Sequence, residues 1–343
     1  MPNIQIRPFN LLLGGQNIPA FELSDERIRA RFSAFGARML ALHVRNRDAS
    51  ETNIAVGLAT LDDYLAQDSY IGAICGRYAN RIKNACYRQD GKTVTLLANE
   101  GPNQLHGGPD GFDRRIWQSS IGANGTSVTF SLTSPDGDQG YPGELNTDVT
   151  YRIAAPGALR CEITARCTKP TIINMTSHAY WNLTGDFTRS AAGHDLQITA
   201  DHYLPVDGEL IPRPGHADVA DTIFDFRKPR RVDEMINGTP TGYDHNFCLA
   251  PAPRGTLRKI AILRDPQSGR RMELSSSEPG LQFYLSQHFT DAMKTPDAQP
   301  LHRAAGIALE PQTFPDSPNR PDFPSAILQP GETYRHVIEW EFS

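Results

Sequence analysis

VTYRIAAPGALRCEITARC, residues 149–167, contains two runs in which apolar and polar side chains alternate. The apolar positions are Val149, Tyr151 and Ile153 in the first run, and Leu159, Cys161, Ile163, Ala165 and Cys167 in the second. Successive side chains of an extended strand point to opposite sides, so a period of two places all the apolar groups of a run on one face. The segment therefore predicts β-strands with one face directed into a core.

The same alternation recurs along the chain, and it continues nearly to the carboxyl end. Further runs are Val128/Phe130/Leu132, Leu196/Ile198/Ala200, Ile260/Ile262 and Ile338/Trp340/Phe342. Turn-forming dipeptides such as Asn124-Gly125 and Pro330-Gly331 separate them, and helical periodicity is confined to residues 61–65. We predict an all-β fold, a large antiparallel β-sandwich or barrel.

The chain shows no internal division. A length of 343 residues would allow two average domains, but β-sandwiches often exceed 200 residues as one unit. No Gly/Ser-rich or charge-rich linker and no repeat of fixed period interrupts the sequence. We therefore expect residues 1–343 to form a single domain.

Composition narrows the class of partner. The net charge of −5 is spread along the chain without a basic stripe, which argues against nucleic acid or an anionic membrane as a partner. No segment has the apolar length of a signal peptide or membrane span, so we expect a cytoplasmic protein with no membrane partner. The five cysteines are odd in number and lack C-x-x-C spacing, which is typical of reduced core residues.

One histidine stands in an unusual setting. His178 lies in NMTSHAYWNL, residues 174–183, where amides, hydroxyls and aromatic rings surround the imidazole. Sugars present hydroxyl groups to polar side chains and C–H faces to aromatic rings, so this mixture suits a sugar site. The alternative is a structural, buried histidine whose ring forms hydrogen bonds with a neighbouring Asn or Ser.

Two acidic residues are further candidates. If residues 306–310 form a strand, Ile307 and Leu309 face one side, while Ala308 and Glu310 face the other, and the small Ala308 leaves room beside the carboxylate. A glutamate there is either a member of an ion pair or a catalytic group with a raised pKa. Asp244 precedes an apolar run and is either a site residue or a turn residue.

The order of several motifs resembles that of the aldose 1-epimerase family, also called the galactose mutarotase family. The matching segments are GRYANRI (76–82), QLHGG (104–108), SPDGDQGYPG (134–143), NMTSHAYWNL (174–183), ADHYLPVD (200–207), GYDHNF (242–247), LQFY (281–284) and LEPQTFPDS (309–317). The resemblance implies a large β-sandwich of the kind called a supersandwich. It also implies an isomerase that interconverts the α and β anomers of a free aldose, with a monosaccharide as its partner.

The resemblance assigns a role to each of seven residues. Glu310 matches the catalytic base and His178 the catalytic acid, while Asn80, Arg81, His106, Asp244 and Gln282 match groups that bind the sugar. An acid and a base suffice to open and re-close the ring, so no cofactor and no metal is expected. Arg81 has an alternative, structural role as an ion-pair partner of Glu310 or Asp244. LSQHF, residues 285–289, departs from the family pattern, so the preferred aldose is left open, as is the choice between a monomer and a homodimer.

Other functions remain open at this point. A glycoside hydrolase would use Asp244 and Glu310 as its carboxylate pair, and a metal-dependent isomerase would place His106, His178 and both acids around an ion. A non-catalytic sugar-binding module needs no proton pair. A hexose-6-phosphate epimerase would need extra cations, for which the candidates are Arg77, Arg114 and Arg115.

A long irregular segment follows Glu310. Residues 311–325 contain five prolines, and a loop of that length in a compact protein is often functional. We expect it to frame a site.

Overall fold

A computed structural model describes residues 4–236, 239–253 and 255–343. The first three residues of the amino-terminal segment lie outside the described part. The one α-helix among these residues is α1 (Leu61–Leu65), and short 3₁₀ turns span Lys83–Ala85, Phe112–Arg114, Asp138–Gly140 and Ser317–Asn319. The strands are β1 (Gln5–Leu13), β2 (Gln16–Ser24), β3 (Ile28–Ser33), β4 (Arg38–Arg45), β5 (Glu51–Asn53), β6 (Ile74–Cys75), β7 (Arg81–Ile82), β8 (Cys86–Gln89), β9 (Lys92–Thr95), β10 (Gln104–Leu105), β11 (Gln118–Ile121), β12 (Ser127–Ser134), β13 (Leu145–Ala155), β14 (Ala158–Cys167), β15 (Thr171–Ile172), β16 (Thr176–Ser177), β17 (Tyr180–Trp181), β18 (Asp195–Ile198), β19 (Ala200–Tyr203), β20 (Ala217–Asp218), β21 (Arg230–Arg231), β22 (Met235–Ile236), β23 (Thr239–Pro240), β24 (Asp244–Leu249), β25 (Arg258–Arg264), β26 (Arg271–Ser276), β27 (Gly280–Leu285), β28 (Ile307–Gln312), β29 (Ile327–Leu328) and β30 (Tyr334–Phe342).

Three larger sheets carry the architecture. A nine-stranded sheet has the order β11-β12-β13-β14-β30-β26-β25-β18-β21, and a six-stranded sheet has the order β17-β28-β27-β24-β19-β20. Strands β1 to β5 form a third sheet in sequence order, and the remaining strands form two-stranded pairs. The strand pairings of all three larger sheets are antiparallel, which confirms the all-β prediction.

The segment that predicted strands lies at the centre of the nine-stranded sheet. β13 pairs with β14 so that Val149 faces Ile163 and Tyr151 faces Cys161. All four side chains are fully buried, and residues between them along each strand are more exposed. The period of two therefore reports one apolar face that is covered by the rest of the protein.

Aromatic contacts show what covers that face. Phe32 of the five-stranded sheet stacks on Tyr151 with ring centroids 4.1 Å apart. Trp181 of the six-stranded sheet packs against Trp340 of β30 at 5.8 Å. The nine-stranded sheet is thus one layer of a sandwich, and the two smaller sheets contribute the opposite layer, with the largest apolar cluster between them.

Two predicted strands differ from the structure. The run from Leu196 to Ala200 is divided, because β18 pairs in the nine-stranded sheet while β19 pairs in the six-stranded sheet. Ile260 and Ile262 do not share a buried face: a register irregularity between Lys259 and Ala261 leaves Ile260 fully buried and Ile262 only partly so. A bulge adds one residue to the strand and shifts the alternation, which a strict period of two does not allow for.

The predicted helical stretch is confirmed as α1. Its start is fixed by a reciprocal capping arrangement, in which the Thr60 hydroxyl accepts the Asp63 N–H while the Asp63 carboxylate accepts the Thr60 N–H. Among the described residues, no helix has the length and apolar character needed to cross a membrane.

The proline-rich loop does not frame the pocket that holds Glu310. Its residues Thr313, Phe314 and Phe323 line a separate cavity of about 890 Å³. The loop instead supports a neighbouring segment from behind, since the Asp316 N–H donates to the carbonyl of Arg81 at 2.8 Å. Its role is to brace the chain that carries site residues.

Candidate active site

The floor of the site is the outward face of the six-stranded sheet. Gln282 of β27 lies between Asn246 of β24 and Glu310 of β28 in the register of the sheet. Side chains of the same register row point to the same side of a sheet, so Asp244, two residues from Asn246, lies on this face as well. Because alternate side chains of a strand point to the same face, Asp244 of β24, Gln282 of β27 and Glu310 of β28 meet here.

The alternation around Glu310 is as the sequence predicts. Glu310 lines the pocket, and Ile307 and Leu309 belong to the apolar cluster of the sandwich. Every residue of β28 is buried, because the site wall covers one face and the core covers the other. The apolar side of the strand holds the carboxylate in place.

A tight turn brings His106 to the wall of the site. Leu105 pairs with Arg81 in the small sheet of β7 and β10. The His106 N–H donates to the carbonyl of Asn80 at 3.2 Å, and the Asn80 N–H donates to Nδ1 of His106 at 3.2 Å. Gly107 follows with φ +96°, where a β-carbon would collide with the carbonyl oxygen of Gly76. The imidazole is therefore fixed by backbone groups on both sides.

His178 lies in the segment between β16 and β17. Its N–H donates to the carbonyl of Ala73 at 2.8 Å, and its carbonyl accepts the N–H of Gly72 at 2.9 Å. Its ring lies 4.9 Å from the ring of Tyr180 and 5.1 Å from that of His106, measured between centroids. Aromatic packing on two sides restricts the imidazole to one orientation.

All seven residues assigned by resemblance line one pocket. Its volume of about 640 Å³ falls in the range of small-molecule sites. The lining includes Asn80, Arg81, His106, His178, Asp244, Gln282 and Glu310. Tyr70, Tyr180 and Tyr284 add aromatic surface, so the pocket combines hydrogen-bonding groups with ring faces.

The two assigned proton carriers face each other. Nε2 of His178 lies 3.6 Å from Oε1 of Glu310, and both side chains are almost fully buried. Burial lowers the pKa of His178 to about 3. Burial, reinforced by the carboxylate of Asp244, raises the pKa of Glu310 well above its usual range. Removal from water penalises the charged form of each group, so burial favours a neutral carboxylic acid on Glu310 beside a neutral imidazole on His178.

The sugar-binding candidates form a connected set. Gln282 Nε2 donates to Oδ1 of Asp244 at 2.5 Å, and Nη1 of Arg81 lies 4.0 Å from Oδ2 of Asp244. The chief partner of Arg81 is Glu100, which accepts from Nε and Nη2 at 2.7 Å each. Arg81 therefore does contact Asp244, one of the two ion-pair partners named for its structural alternative, while its closer partner is Glu100.

Sequence reasoning missed several lining residues, among them Glu100 and Tyr70. Glu100 belongs to the turn just before the motif at residues 104–108, but nothing in its spacing points to Arg81. Tyr70 has φ +53° and places its ring 4.5 Å from that of His106. A positive φ at a tyrosine is an uncommon backbone conformation, and it is visible only in the structure.

Three potential metal ligands also meet here. One ligand atom from each of His106, His178 and Glu310 lies within 4.8 Å of the others. Nδ1 of His106, however, accepts the N–H of Asn80, so in the neutral ring the proton is on Nε2. An Nε2–H group is a hydrogen-bond donor, which suits a sugar oxygen and not a metal ion.

The three arginines proposed for a phosphate are engaged elsewhere. Arg77 is buried and donates to Ser134 and to the carbonyl oxygens of residues 134, 135, 142 and 143. Arg115 pairs with Asp110 and Asp138. Arg114 does line the pocket, but it pairs with Asp68 at 2.5 Å.

Comparison with known proteins places this site in a family. A family model described as aldose 1-epimerase matches residues 19–341. The chain is 38% identical over 333 residues to galactose mutarotase from Homo sapiens, covering 96% of this chain and 95% of the relative. It is 39% identical over 316 residues to aldose 1-epimerase from Escherichia coli (strain K12), covering 90% of each. A crystal structure of an aldose epimerase homologue from C. elegans superposes with a TM-score of 0.85 at 31% identity, covering 93% of this chain and 96% of the other. With a match of nearly full length in both sequence and fold, the chain belongs to the aldose 1-epimerase family.

Proposed function

We propose that this protein is an isomerase that interconverts the α and β anomers of a free aldose. The observation that carries the proposal is the buried pair of His178 and Glu310, whose facing atoms lie 3.6 Å apart in a pocket lined by polar and aromatic groups. Interconversion needs one group to remove a proton and a second to supply one at a neighbouring oxygen. The pair provides both within reach of a single sugar ring.

The reaction balances with one shared proton. Glu310 as carboxylate takes the proton of the anomeric hydroxyl, while His178 as imidazolium gives its proton to the ring oxygen, and the C1–O5 bond breaks. The product is the open-chain aldehyde beside a protonated Glu310 and a neutral His178. Rotation about C1–C2 exposes the other carbonyl face. Both transfers then reverse as the ring closes, so the enzyme is unchanged after a cycle.

The pKa shifts bear on the middle of this cycle. A raised pKa for Glu310 and a lowered pKa for His178 favour the carboxylic acid beside the neutral imidazole. That is the form that stands beside the open-chain aldehyde. Because each protonation form of the pair is neutral overall, moving between them changes no net charge in the buried site.

The remaining polar groups suit binding. Asp244 and the carbonyl oxygen of Gln282 accept from hydroxyl groups, and Nη1 of Arg81 and Nε2–H of His106 donate to oxygens. We propose a neutral aldose as substrate, because both arginines that line the pocket are paired with carboxylates. The His106 proton, directed at the ring oxygen or at a hydroxyl beside it, would stabilise charge that develops as the ring opens.

The test is polarimetry of freshly dissolved α-galactose, α-glucose, xylose and arabinose, with no added metal or nucleotide. We expect faster equilibration for at least one of them, unchanged by a chelator. Equilibration of every sugar at the uncatalysed rate would overturn the proposal. Release of a new reducing end from a disaccharide would point to a hydrolase instead.

We further propose that the chain is a single domain, a monomer or homodimer, located in the cytoplasm. One apolar cluster that includes residues from all three larger sheets supports the first part. Light scattering after gel filtration tests the second part, and cell fractionation tests the third. A mass above that of two chains, or recovery outside the cytoplasm, would contradict them.

A further inference from the structure

Glu100 holds Arg81 with the geometry of a two-point clamp. The carboxylate accepts from Nε of Arg81 through Oε2 and from Nη2 through Oε1, each at 2.7 Å. Parallel bonds of this kind fix both the position and the plane of the guanidinium. The Arg81 side chain is 10% exposed and that of Glu100 is 37% exposed, so the carboxylate is the more open of the two. It also lines the pocket.

The turn that carries Glu100 is itself anchored. Glu100 and Asn103 exchange two backbone hydrogen bonds, of 3.1 and 3.0 Å. The Asn99 side chain accepts the N–H of Leu105 at 2.7 Å and donates to its carbonyl at 3.0 Å. These bonds tie the turn to β10, next to His106. The carboxylate is therefore in place before a substrate arrives.

The clamp decides which part of Arg81 can meet a sugar. Nε and Nη2 are occupied by Glu100, and Nη1 points towards Asp244, 4.0 Å from Oδ2. Asp244 in turn accepts from Gln282. Four side chains thus form a row of alternating acid, base, acid and amide along the pocket. Without Glu100, the full guanidinium would be available to an anionic group on the ligand.

The charges of the pocket also disfavour an anionic ligand. Its lining includes four carboxyl groups, from Asp68, Glu100, Asp244 and Glu310. The two arginines in that lining each have a carboxylate partner, Glu100 for Arg81 and Asp68 for Arg114. A sugar with its own carboxylate or phosphate would find cations already neutralised and acids nearby.

We infer that Glu100 is a specificity-determining residue that restricts this pocket to uncharged aldoses. It acts by clamping Arg81 and by adding its own negative charge to the wall. The inference rests on the proposed anomer-interconverting function. It extends that function to the class of sugar that is accepted and the class that is rejected.

The experiment compares Glu100→Gln with the wild type on two substrates. One is the neutral aldose that the wild type turns over fastest, and the other is the uronate of the same configuration. We expect the uronate-to-aldose ratio of kcat/KM to rise at least about tenfold, because glutamine removes the repelling charge and frees Arg81. For the neutral aldose, KM should rise severalfold, with kcat within about threefold of the wild-type value, because no proton carrier changes.

Two controls make the result specific. Glu339 forms an ion pair with Arg160 at 2.6 Å on the nine-stranded sheet. Glu339→Gln removes this glutamate and should leave kcat/KM unchanged for both substrates. Glu100→Asp keeps the charge, and should keep the ratio near that of the wild type even where the shorter side chain raises KM. If Glu100→Gln does not fold, raising the salt concentration with the wild type should still increase the ratio, because salt screens the repulsion.

The outcomes separate two failures. A ratio within about twofold of the wild type in Glu100→Gln, with normal turnover of the neutral aldose, overturns the role of Glu100 alone. A ratio that does not respond to salt has the same meaning where the variant does not fold. A wild type that accelerates no anomer exchange overturns the proposed function, and the inference with it.

Discussion

Nε2 of His178 lies 3.6 Å from Oε1 of Glu310 because their two chain segments are adjacent in the six-stranded sheet. Tyr180 of β17 pairs with Ala308 of β28 in antiparallel register. Continuing that register by two residues brings position 178 opposite position 310, on the same face as the Tyr180–Ala308 pair. The pairing of β17 with β28 therefore brings the two segments together, and the backbone hydrogen bonds of His178 to Ala73 and Gly72 hold the histidine in place beyond the end of β17.

Replacing Glu310 with glutamine should lower kcat about 10²- to 10⁴-fold, the contribution of a positioned acid or base. Glutamine keeps the size and the hydrogen bonding of the side chain but cannot accept the anomeric proton. His178→Asn should behave alike. Polarimetry gives kcat, and calorimetry of sugar binding should show a smaller change. A folded Glu310→Gln variant that retains more than about a tenth of wild-type kcat would exclude Glu310 as the base.

The double variant of His178 and Glu310 gives an independent check. Two groups that serve one coupled transfer are not additive, so the double variant should be little worse than the poorer single variant. If the two effects multiply, the groups act in separate steps, and the shared-proton mechanism is wrong.

The pH dependence of kcat/KM should have a broad plateau. The pair is active while it holds one proton, so activity falls at acid pH when His178, with a pKa of about 3, takes up a second proton. It falls at alkaline pH when Glu310, whose pKa burial raises, loses its proton. Initial rates between pH 3 and 10 test this. An alkaline limb near pH 4.5, the ordinary range of a glutamate, would contradict the buried pair.

Much of the fold could be predicted because a sheet with one buried face has apolar residues at every second position of its strands. The runs at Val149–Ile153 and Leu159–Cys167 alternate without a break, and both lie where they were expected. The same reasoning assigned opposite sides to Leu309 and Glu310. It failed at Ile260 and Ile262, because a bulge shifts the alternation by one residue.

The site was harder to predict because its geometry depends on pairings between distant strands. Nothing local to His178 or Glu310 states that β17 pairs with β28, and the roles of both residues came from resemblance to a family. Arg81 and Glu100 are carried by a short strand and a separate turn, so their clamp appears only once β7 and β10 are paired. Ion pairs of this kind leave no periodic signal in a sequence.

Replacing Asp244 with alanine should weaken sugar binding by about 1–3 kcal/mol, the cost of leaving buried polar partners unpaired. The variant removes an acceptor for hydroxyl groups and leaves the Gln282 amide without its partner. Asp244→Asn is the matched control, since it keeps one acceptor oxygen and the shape of the side chain. Calorimetry measures both. An unchanged dissociation constant in Asp244→Ala would give Asp244 a structural role.

Stability should fall as the pH drops below 6.5. His336 is fully buried between Ser276 and the carbonyl of Met175, and burial lowers its pKa to about 4. Its contribution is therefore complete above pH 6.5, where the unfolded form is neutral too, and is lost as the pH falls towards 4. The loss approaches about 1.4 kcal/mol per pH unit for each such histidine. Urea unfolding at pH 7.5, 6 and 5 tests this.

Two histidine variants show how much of the pH dependence of stability comes from His336. His336→Gln should flatten the pH dependence and lower stability at pH 7.5, because glutamine does not titrate. The half-exposed His302 is the control, and His302→Gln should leave the slope unchanged. If the unfolding free energy changes equally with pH in the wild type and both variants, His336 does not contribute to the acid destabilisation.

Trp181 tests whether the sheets unfold together. Its ring lies 5.8 Å from that of Trp340 and 5.6 Å from that of Phe342, so it joins the six-stranded sheet to the nine-stranded sheet. Trp181→Ala should cost about 3–5 kcal/mol through lost burial and the cavity that remains, and Trp181→Phe should cost less because it keeps a ring there. If the chain is a single domain, both variants lower the midpoint temperature of one cooperative unfolding transition in calorimetry. The far-UV and near-UV circular dichroism signals should then change at that same temperature. Two separated transitions, of which only one moves in Trp181→Ala, would instead mean that the two sheets belong to independently folding units.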